Sequence, residues 1–318
     1  MNAALNIRPI RPEDVPSTVA LWREVFPGYG MSAEAAFRHT FGHPAFAPEG
    51  CLGAFAAEEL VGFCLATDML IAEGPLEPPP ACIPALLVHP DRRQQGIGQT
   101  LLREAEAFAA RRGHRTIRLG YPTYLQGTLL SLPGVNAAWS EAHWYFRHYG
   151  YRVTGSLDSA RCRLEEWEIP AQEVAQIDRA ASQGIEARPA RPDDEPALLE
   201  FLQANFRSSW YRHVLRRSQA GRLAHQRVTV LCRDGSVLGF VGPADISDAG
   251  IAHMGVGIGV DAARRGEGLG NVLLFSFLDT LKRAGATECV IYGVGPKRYY
   301  DRAGFRMAEL WLMMEKAL

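Results

Sequence analysis

The chain writes one short pattern twice. Arg93-Gln94-Gln95-Gly96-Ile97-Gly98 is followed by Gln99 and Leu101-Leu102, and Arg265-Gly266-Glu267-Gly268-Leu269-Gly270 by Asn271 and Leu273-Leu274. An apolar extended run enters each copy, ending at Leu87-Val88 or at Ile258-Gly259-Val260, and an amphipathic stretch leaves it. Strand, glycine loop and helix used twice in one chain restrict the fold to two related α/β units. A loop running straight into a helix leaves its first backbone N–H groups unpaired, and these donors with the helix dipole attract a diphosphate. Glycine lets the backbone come close, and arginine adds charge. An ordinary tight turn could carry the same string; the flanking strand and helix, and the repetition, favour an anion cradle in both copies.

Two further landmarks recur in the same order. Arg8-Pro9-Ile10-Arg11-Pro12-Glu13-Asp14 returns as Arg188-Pro189-Ala190-Arg191-Pro192-Asp193-Asp194, and Tyr149-Gly150-Tyr151 as Ala303-Gly304-Phe305. The 318 residues, 47% of them hydrophobic, suffice for two cores. The expected domains are 1–172 and 184–318, separated by a polar stretch that Val174 and Ile177 could place on a short connecting helix.

Each copy reads as a mixed α/β unit. Ile7 to Ile10 reads as a strand and Pro12-Glu13-Asp14 as the opening of a helix carrying Val15, Val19, Trp22 and Phe26. Phe55 to Ala57 and Leu60 to Met69 read as strands joined at Glu58-Glu59, and Val228 to Arg233 and Val237 to Val241 as a hairpin around Asp234-Gly235. The strands entering the loops are Ile83 to Val88 and His253 to Val260; the helices that follow end at Gly113 and Gly285, before strands at Thr116 to Leu119 and Glu288 to Tyr292.

With 34 basic against 35 acidic residues there is no overall bias toward nucleic acid or membrane, so a small ligand is expected. The six cysteines are scattered without a Cys-x-x-Cys pair, which argues for reduced buried thiols and no metal. No apolar run approaches the ~20 residues that span a bilayer. A soluble cytoplasmic protein is expected, monomer or homodimer, with no nucleic-acid or membrane partner. Gly255-Val256-Gly257-Ile258-Gly259 superficially resembles a dinucleotide loop, but no helix follows it directly and the G-x-G-x-x-G spacing is absent.

The Q/R-x-x-G-x-G signature between strand and helix, with the later corner Tyr299-Tyr300-Asp301-Arg302-Ala303-Gly304-Phe305, resembles the GCN5-related N-acetyltransferases, and the resemblance covers nearly the whole chain as two tandem units. It implies an α/β (α+β, mixed-sheet) fold of two tandem acetyl-CoA-binding domains, each with a V-shaped opening between two central parallel strands that admits pantetheine. It further implies that the amides of Arg265 to Asn271 hold the pyrophosphate of acetyl-CoA as cosubstrate. Backbone from Ile258 to Val260 would pair with the pantetheine arm and polarise the thioester carbonyl. Tyr300 matches the residue that protonates the departing thiolate; a packed aromatic is the alternative. In the first copy the cofactor positions would be Leu87, Val88 and Arg93 to Gln99.

An attacking amine must lose a proton, since an alkylammonium has a pKa of roughly 10.4. His253 is the candidate base, with a hydrogen-bonded structural histidine as the alternative; Glu288 and Asp245 are less well placed. The first copy departs from the family at its corner, where Phe146 stands four residues before Gly150 and has no proton to donate. The second departs at Gly293-Val294-Gly295-Pro296, where many members carry asparagine and alanine.

Arg207, Arg212, Arg216, Arg217, Arg222 and Arg227 follow one another without an intervening acid and fit either an anionic acceptor or a solvated helix face. Tyr121, Tyr124, Trp139, Trp144 and Tyr145 fit either a pocket wall or core packing. The expected function is acetyl-CoA-dependent transfer of an acetyl group to a primary amine of a small molecule or peptide, catalysed by the second copy without a metal. The alternative is a non-catalytic module that senses CoA or binds an acyl carrier.

Overall fold

The computed structural model describes residues 5–27, 40–41, 46–68, 80–120, 132–206, 209–219, 221–247 and 249–318. Met69, Tyr121, Tyr124 and Arg207 lie outside them. The chain divides into two compact units: Met1–Leu157 with Ser247–Ala249 and Glu309–Leu318, and Asp158–Ile246 with Gly250–Ala308.

The first unit runs β1 (Leu5–Pro9), α1 (Val15–Val25), β2 (Cys51–Ala56), β3 (Glu59–Asp68), β4 (Ala81–Val88), α2 (Ile97–Arg111), β5 (Thr116–Leu119), β6 (Val135–Asn136), α3 (Ser140–His148) and the start of β7 (Arg152–Arg163). Its strand order is β1-β2-β3-β4-β5, then the C-terminal part of β13 (Arg306–Ala317), then β7. β4 and β5 are parallel, whereas β1 to β4 pair antiparallel with their neighbours. Leu101, Leu102, Ala105 and Phe108 recur at helical spacing on α2 and fill the core against Val61, Cys64, Ile83 and Ile117.

The second unit contains α4 (Ala171–Ser182), β8 (Glu186–Pro189), α5 (Glu195–Asn205), α6 (Ser209–Gln219), β9 (Thr229–Arg233), β10 (Ser236–Ile246), β11 (Ile251–Val260), α7 (Leu269–Arg283), β12 (Glu288–Tyr292) and α8 (Lys297–Arg302). Its order is β7-β12-β11-β10-β9-β8. Again the central pair, β11 and β12, is parallel. Leu273, Leu274, Phe277, Leu278 and Leu281 of α7 pack on one face with Cys289, Ile291 and Phe305. Leu198, Phe201 and Leu202 of α5 and Val214 of α6 cover the other face, over Val228, Val230 and Phe240.

The copies exchange their final strands. Thr116 to Leu119 of β5 pair with Ala317 to Met314 of β13, and Glu288 to Tyr292 of β12 pair with Arg163 to Ser159 of β7. Hydrophobic pattern marks Thr116 to Leu119 and Glu288 to Tyr292 as strands but carries no information about which partner they take.

The repeated Arg-Pro-x-Arg-Pro motif is a local clamp at the end of the first strand of each copy. Arg8 donates to both oxygens of Asp14 at 2.6 and 2.9 Å, and Arg188 to both of Asp194 at 2.6 and 2.8 Å. The same carboxylates accept the amides of Arg11 and Arg191 at 2.8 and 2.7 Å. Both acids are held below the usual carboxylate range by their arginines, Asp194 at about 2. The β2–β3 turn falls one residue earlier than its pattern suggests, because Ala57 takes the left-handed conformation (φ 54°) and β3 starts at Glu59. Asp234 and Gly235 turn as expected for Asp-Gly, both with positive φ (52° and 79°).

Candidate functional site

In both units the central parallel strands pair briefly and then separate. β11 pairs with β12 only from Ile251 to His253, opposite Glu288 to Val290, although β11 runs on to Val260. One residue is extra on β11, since Met254 and Gly257 oppose Ala244 and Gly242 of β10. Such a bulge bends a strand away from its ladder. Beyond it, Asp261 donates to the Leu238 carbonyl at 2.9 Å. By antiparallel alternation, the polar backbone of Gly259 and Gly257 therefore faces β10, and that of Ile258 and Val260 faces the opening. Thus Gly259, grouped with them on sequence, turns its polar backbone to β10. The same phase in the first unit, set by His89 donating to Val61 at 2.9 Å, points Leu86 and Val88 to the opening and Leu87 to β3. Leu86 is a position the sequence reading missed; its signal is the two-residue period counted back from Val88.

At the far end of each strand lies the repeated loop. Gly96 and Gly268 cap α2 and α7 with φ of 81° and 78°, a left-handed conformation that a side chain would strain. In the second loop Arg265, Glu267 and Asn271 spend their amides on turn bonds to Ala262, Arg264 and Gly268. Those of Gly266, Gly268, Leu269 and Gly270 have no hydrogen-bond partner among the described residues. In the first loop Arg93 alone spends its amide, on Pro90, and Gln94, Gln95, Gly96, Ile97, Gly98 and Gln99 keep theirs. Glu267, an acid in an anion cradle, is paired with Arg264 at 3.0 Å. A Cβ placed on Gly268 would lie 1.7 Å from the side-chain nitrogen of Gln176 on α4, so this amide sits beside the second loop. Nothing in the polar linker sequence singles out Gln176.

The aromatic corners match residue for residue. Tyr300 lies edge-on to Tyr299 and Phe305 at 5.1 and 5.6 Å, as Phe146 does to Tyr145 and Tyr151 at 5.2 and 5.6 Å. Tyr299 donates its hydroxyl to the Gly270 carbonyl at 2.6 Å, tying the corner to the first turn of α7. Burial pushes the Tyr300 phenol up to about 12.

His253 stands across from Asp245 on β10 and Val290 on β12, where the opening begins. Its ring lies parallel to that of Tyr292, centroids 6.2 Å apart. Nδ1 is sealed from solvent without a hydrogen-bond partner, and burial lowers the imidazole to about 4. The other two acids near it are paired: Glu288 with Arg161 at 2.8 Å, and Asp245 with both guanidinium nitrogens of Arg217, Nη1 at 3.1 Å. Arg217, one of the run of arginines, is therefore a buried structural cation. The aromatic cluster also disperses: Trp139 stacks on Phe26 and meets Trp311 edge-on in the core, while Trp144 is two-thirds exposed.

Among the described residues no group of histidine, cysteine and acidic side chains could hold a metal, and no helix is long and apolar enough to cross a membrane. All six cysteines are free and buried.

Two mixed-sheet units, each opening between parallel strands beside a glycine-capped helix, define a tandem acyltransferase architecture. The chain belongs to the acetyltransferase (GNAT) family, whose model matches residues 16–123 and 195–305. Among solved structures it is similar to a glucosamine N-acetyltransferase region of a fungal multi-domain beta-N-acetylglucosaminidase (TM-score 0.75, 19% identity), covering 99% of this chain and 38% of that one. A GCN5-related N-acetyltransferase from Sphaerobacter thermophilus gives a TM-score of 0.69 at 19% identity over 98% and 95% of the two chains. A tandem GNAT protein of the clavulanic acid pathway gives 0.67 at 17% over 99% and 98%. At these identities the likeness is one of fold. No curated protein matches the chain at a significant level.

Proposed function

We propose that the protein is an acetyl-CoA-dependent N-acetyltransferase whose second unit transfers the acetyl group to a primary amine of a small molecule by direct attack on the thioester. The observation that carries this reading is the opening past His253 and Val290, which has unspent backbone at Ile258 and Val260, free amides at Gly266, Gly268, Leu269 and Gly270, and a buried tyrosine in the corner behind it.

The free amides and the α7 dipole hold the pyrophosphate, and the backbone of Ile258 and Val260 pairs with the pantetheine arm as an added strand would. Tyr300 remains protonated at neutral pH because burial opposes its phenolate. Held protonated behind the opening, its phenol can donate that proton to the departing thiolate as the carbon–sulfur bond breaks. His253, neutral above about pH 4, lies where the opening begins and takes the amine proton through water. Soluble, cytoplasmic operation without a metal completes the reading.

Release of CoA with a panel of small amines tests it. Tyr300→Phe should lose roughly 10²–10⁴ in kcat while acetyl-CoA affinity holds. A variant as active as the parent removes the acid from Tyr300, and failure of acetyl-CoA to bind in calorimetry removes the cofactor.

A further inference from the structure

The two loops are nearly alike, but the openings they serve are not. In the first unit β4 and β5 stay paired to Ile83 and Leu119, and Gly120 then donates to the Ile83 carbonyl at 2.8 Å. In register, Ile83 corresponds to Gly255, two residues beyond where β11 leaves β12. The bulge residue facing the opening is Pro84, which has no N–H to offer a thioester oxygen, and its carbonyl is taken by the amide of Leu132 at 2.9 Å. Val88, the last position facing the opening, has its carbonyl capped by Nε of Arg93 at 3.3 Å.

Leu132 belongs to a segment that returns to the line of β5. β5 ends with Leu119 opposite Met314, and β6 resumes along the same strand with Val135 opposite Leu312. Gly120 and Gly134 are packed hard: a Cβ on Gly120 would meet the Pro133 carbonyl at 2.5 Å, and one on Gly134 the Leu312 carbonyl at 2.5 Å. Leu132, Val135 and Asn136 are all buried. The residues matching His253 and Tyr300 are Ala81 and Phe146, which can neither accept nor donate a proton.

We propose that the first unit is a closed copy, its opening narrowed by the longer β4–β5 pairing and bridged by Leu132 on Pro84 of its own chain, so that the protein takes one acetyl-CoA per chain, in the second unit. This rests on the reading of the second unit given above.

Calorimetric titration of the intact chain with acetyl-CoA should give a stoichiometry of one. Backbone hydrogen exchange at a hundredfold excess over Kd should slow by up to roughly 100-fold at Ile258, Val260 and Gly266 to Gly270, and stay unchanged at Leu86, Val88 and Gln94 to Gly98. Two sites per chain, or slowed exchange at Leu86, Val88 and the first loop, would overturn the closed copy while leaving the second-unit reading intact. No binding at all would overturn both, so the two failures are distinguishable.

Discussion

Gly257 and Gly259 look like part of a phosphate loop, and the structure gives them a steric duty that can be measured. A Cβ on Gly259 would lie 2.4 Å from Cζ and 2.6 Å from Cε2 of Phe206, and one on Gly257 would lie 2.5 Å from Cζ2 of Trp210. Carbon atoms rest at about 3.5 Å, so in Gly259→Ala the Phe206 ring must retreat by about 1 Å. It cannot retreat freely: Trp210 is stacked on it at 4.8 Å, and Phe201 and Phe240 lie at 5.9 and 6.0 Å. Overpacking of this kind costs about 1–3 kcal/mol, and replacing a strand glycine returns about 0.5–1 kcal/mol of chain entropy. The net loss centres on about 1 kcal/mol, which for a unit of this size lowers Tm by about 2–4 °C. Calorimetric unfolding measures it, alone and in a Phe206→Ala background, where the penalty should largely vanish because the clashing ring is gone. The backbone of Gly259 keeps its bonds to β10, so acetyl-CoA affinity should change little. A Gly259→Ala protein as stable as the parent would refute the argument, as would an equal penalty with and without Phe206.

The Arg188–Asp194 clamp makes an acid-range prediction. The folded-state pKa of Asp194 is depressed to about 2 from an ordinary 3.8, so its stabilisation is complete above about pH 4 and is lost as pH falls toward 2. Asp194→Asn should flatten the stability profile of the parent in that window, and an unchanged slope in urea titrations would count against the clamp. Deleting Glu309–Leu318 should strip β5 of its partner and remove Trp311 and Met314 from the first core. Exchange protection should then collapse in β4 and β5 and persist in α7 and β12, and retained protection in β4 would refute the strand exchange.

Much of this was legible in the residues because it is decided locally. Left-handed glycines before α2 and α7, the Asp-Gly hairpin, and the 3.6-residue spacing of Leu101, Leu102, Ala105 and Phe108 each need only their neighbours in sequence. What escaped depends on distant segments. Gln176 comes to Gly268 from a polar linker, Arg217 leaves its run of arginines to neutralise Asp245, and the exchanged β7 and β13 obey no local rule. His253 lies between: its place on the strand was readable, but its unbonded nitrogen and lowered pKa come from burial by the segments packed around it.

The contrast between the units shows why a repeated motif does not guarantee a repeated site. The cradle survives divergence cheaply, since two left-handed residues and a helix N-terminus suffice; even Gln94, at φ 60°, stands where the second copy has Gly266. The opening is more demanding, because its two strands must stay apart and its backbone unspent. A single amide, that of Leu132 on Pro84, and a single guanidinium, that of Arg93 on Val88, satisfy groups that a cofactor would otherwise have to satisfy. Once the chain supplies those partners itself, an incoming pantetheine gains nothing at these positions that the fold does not already hold.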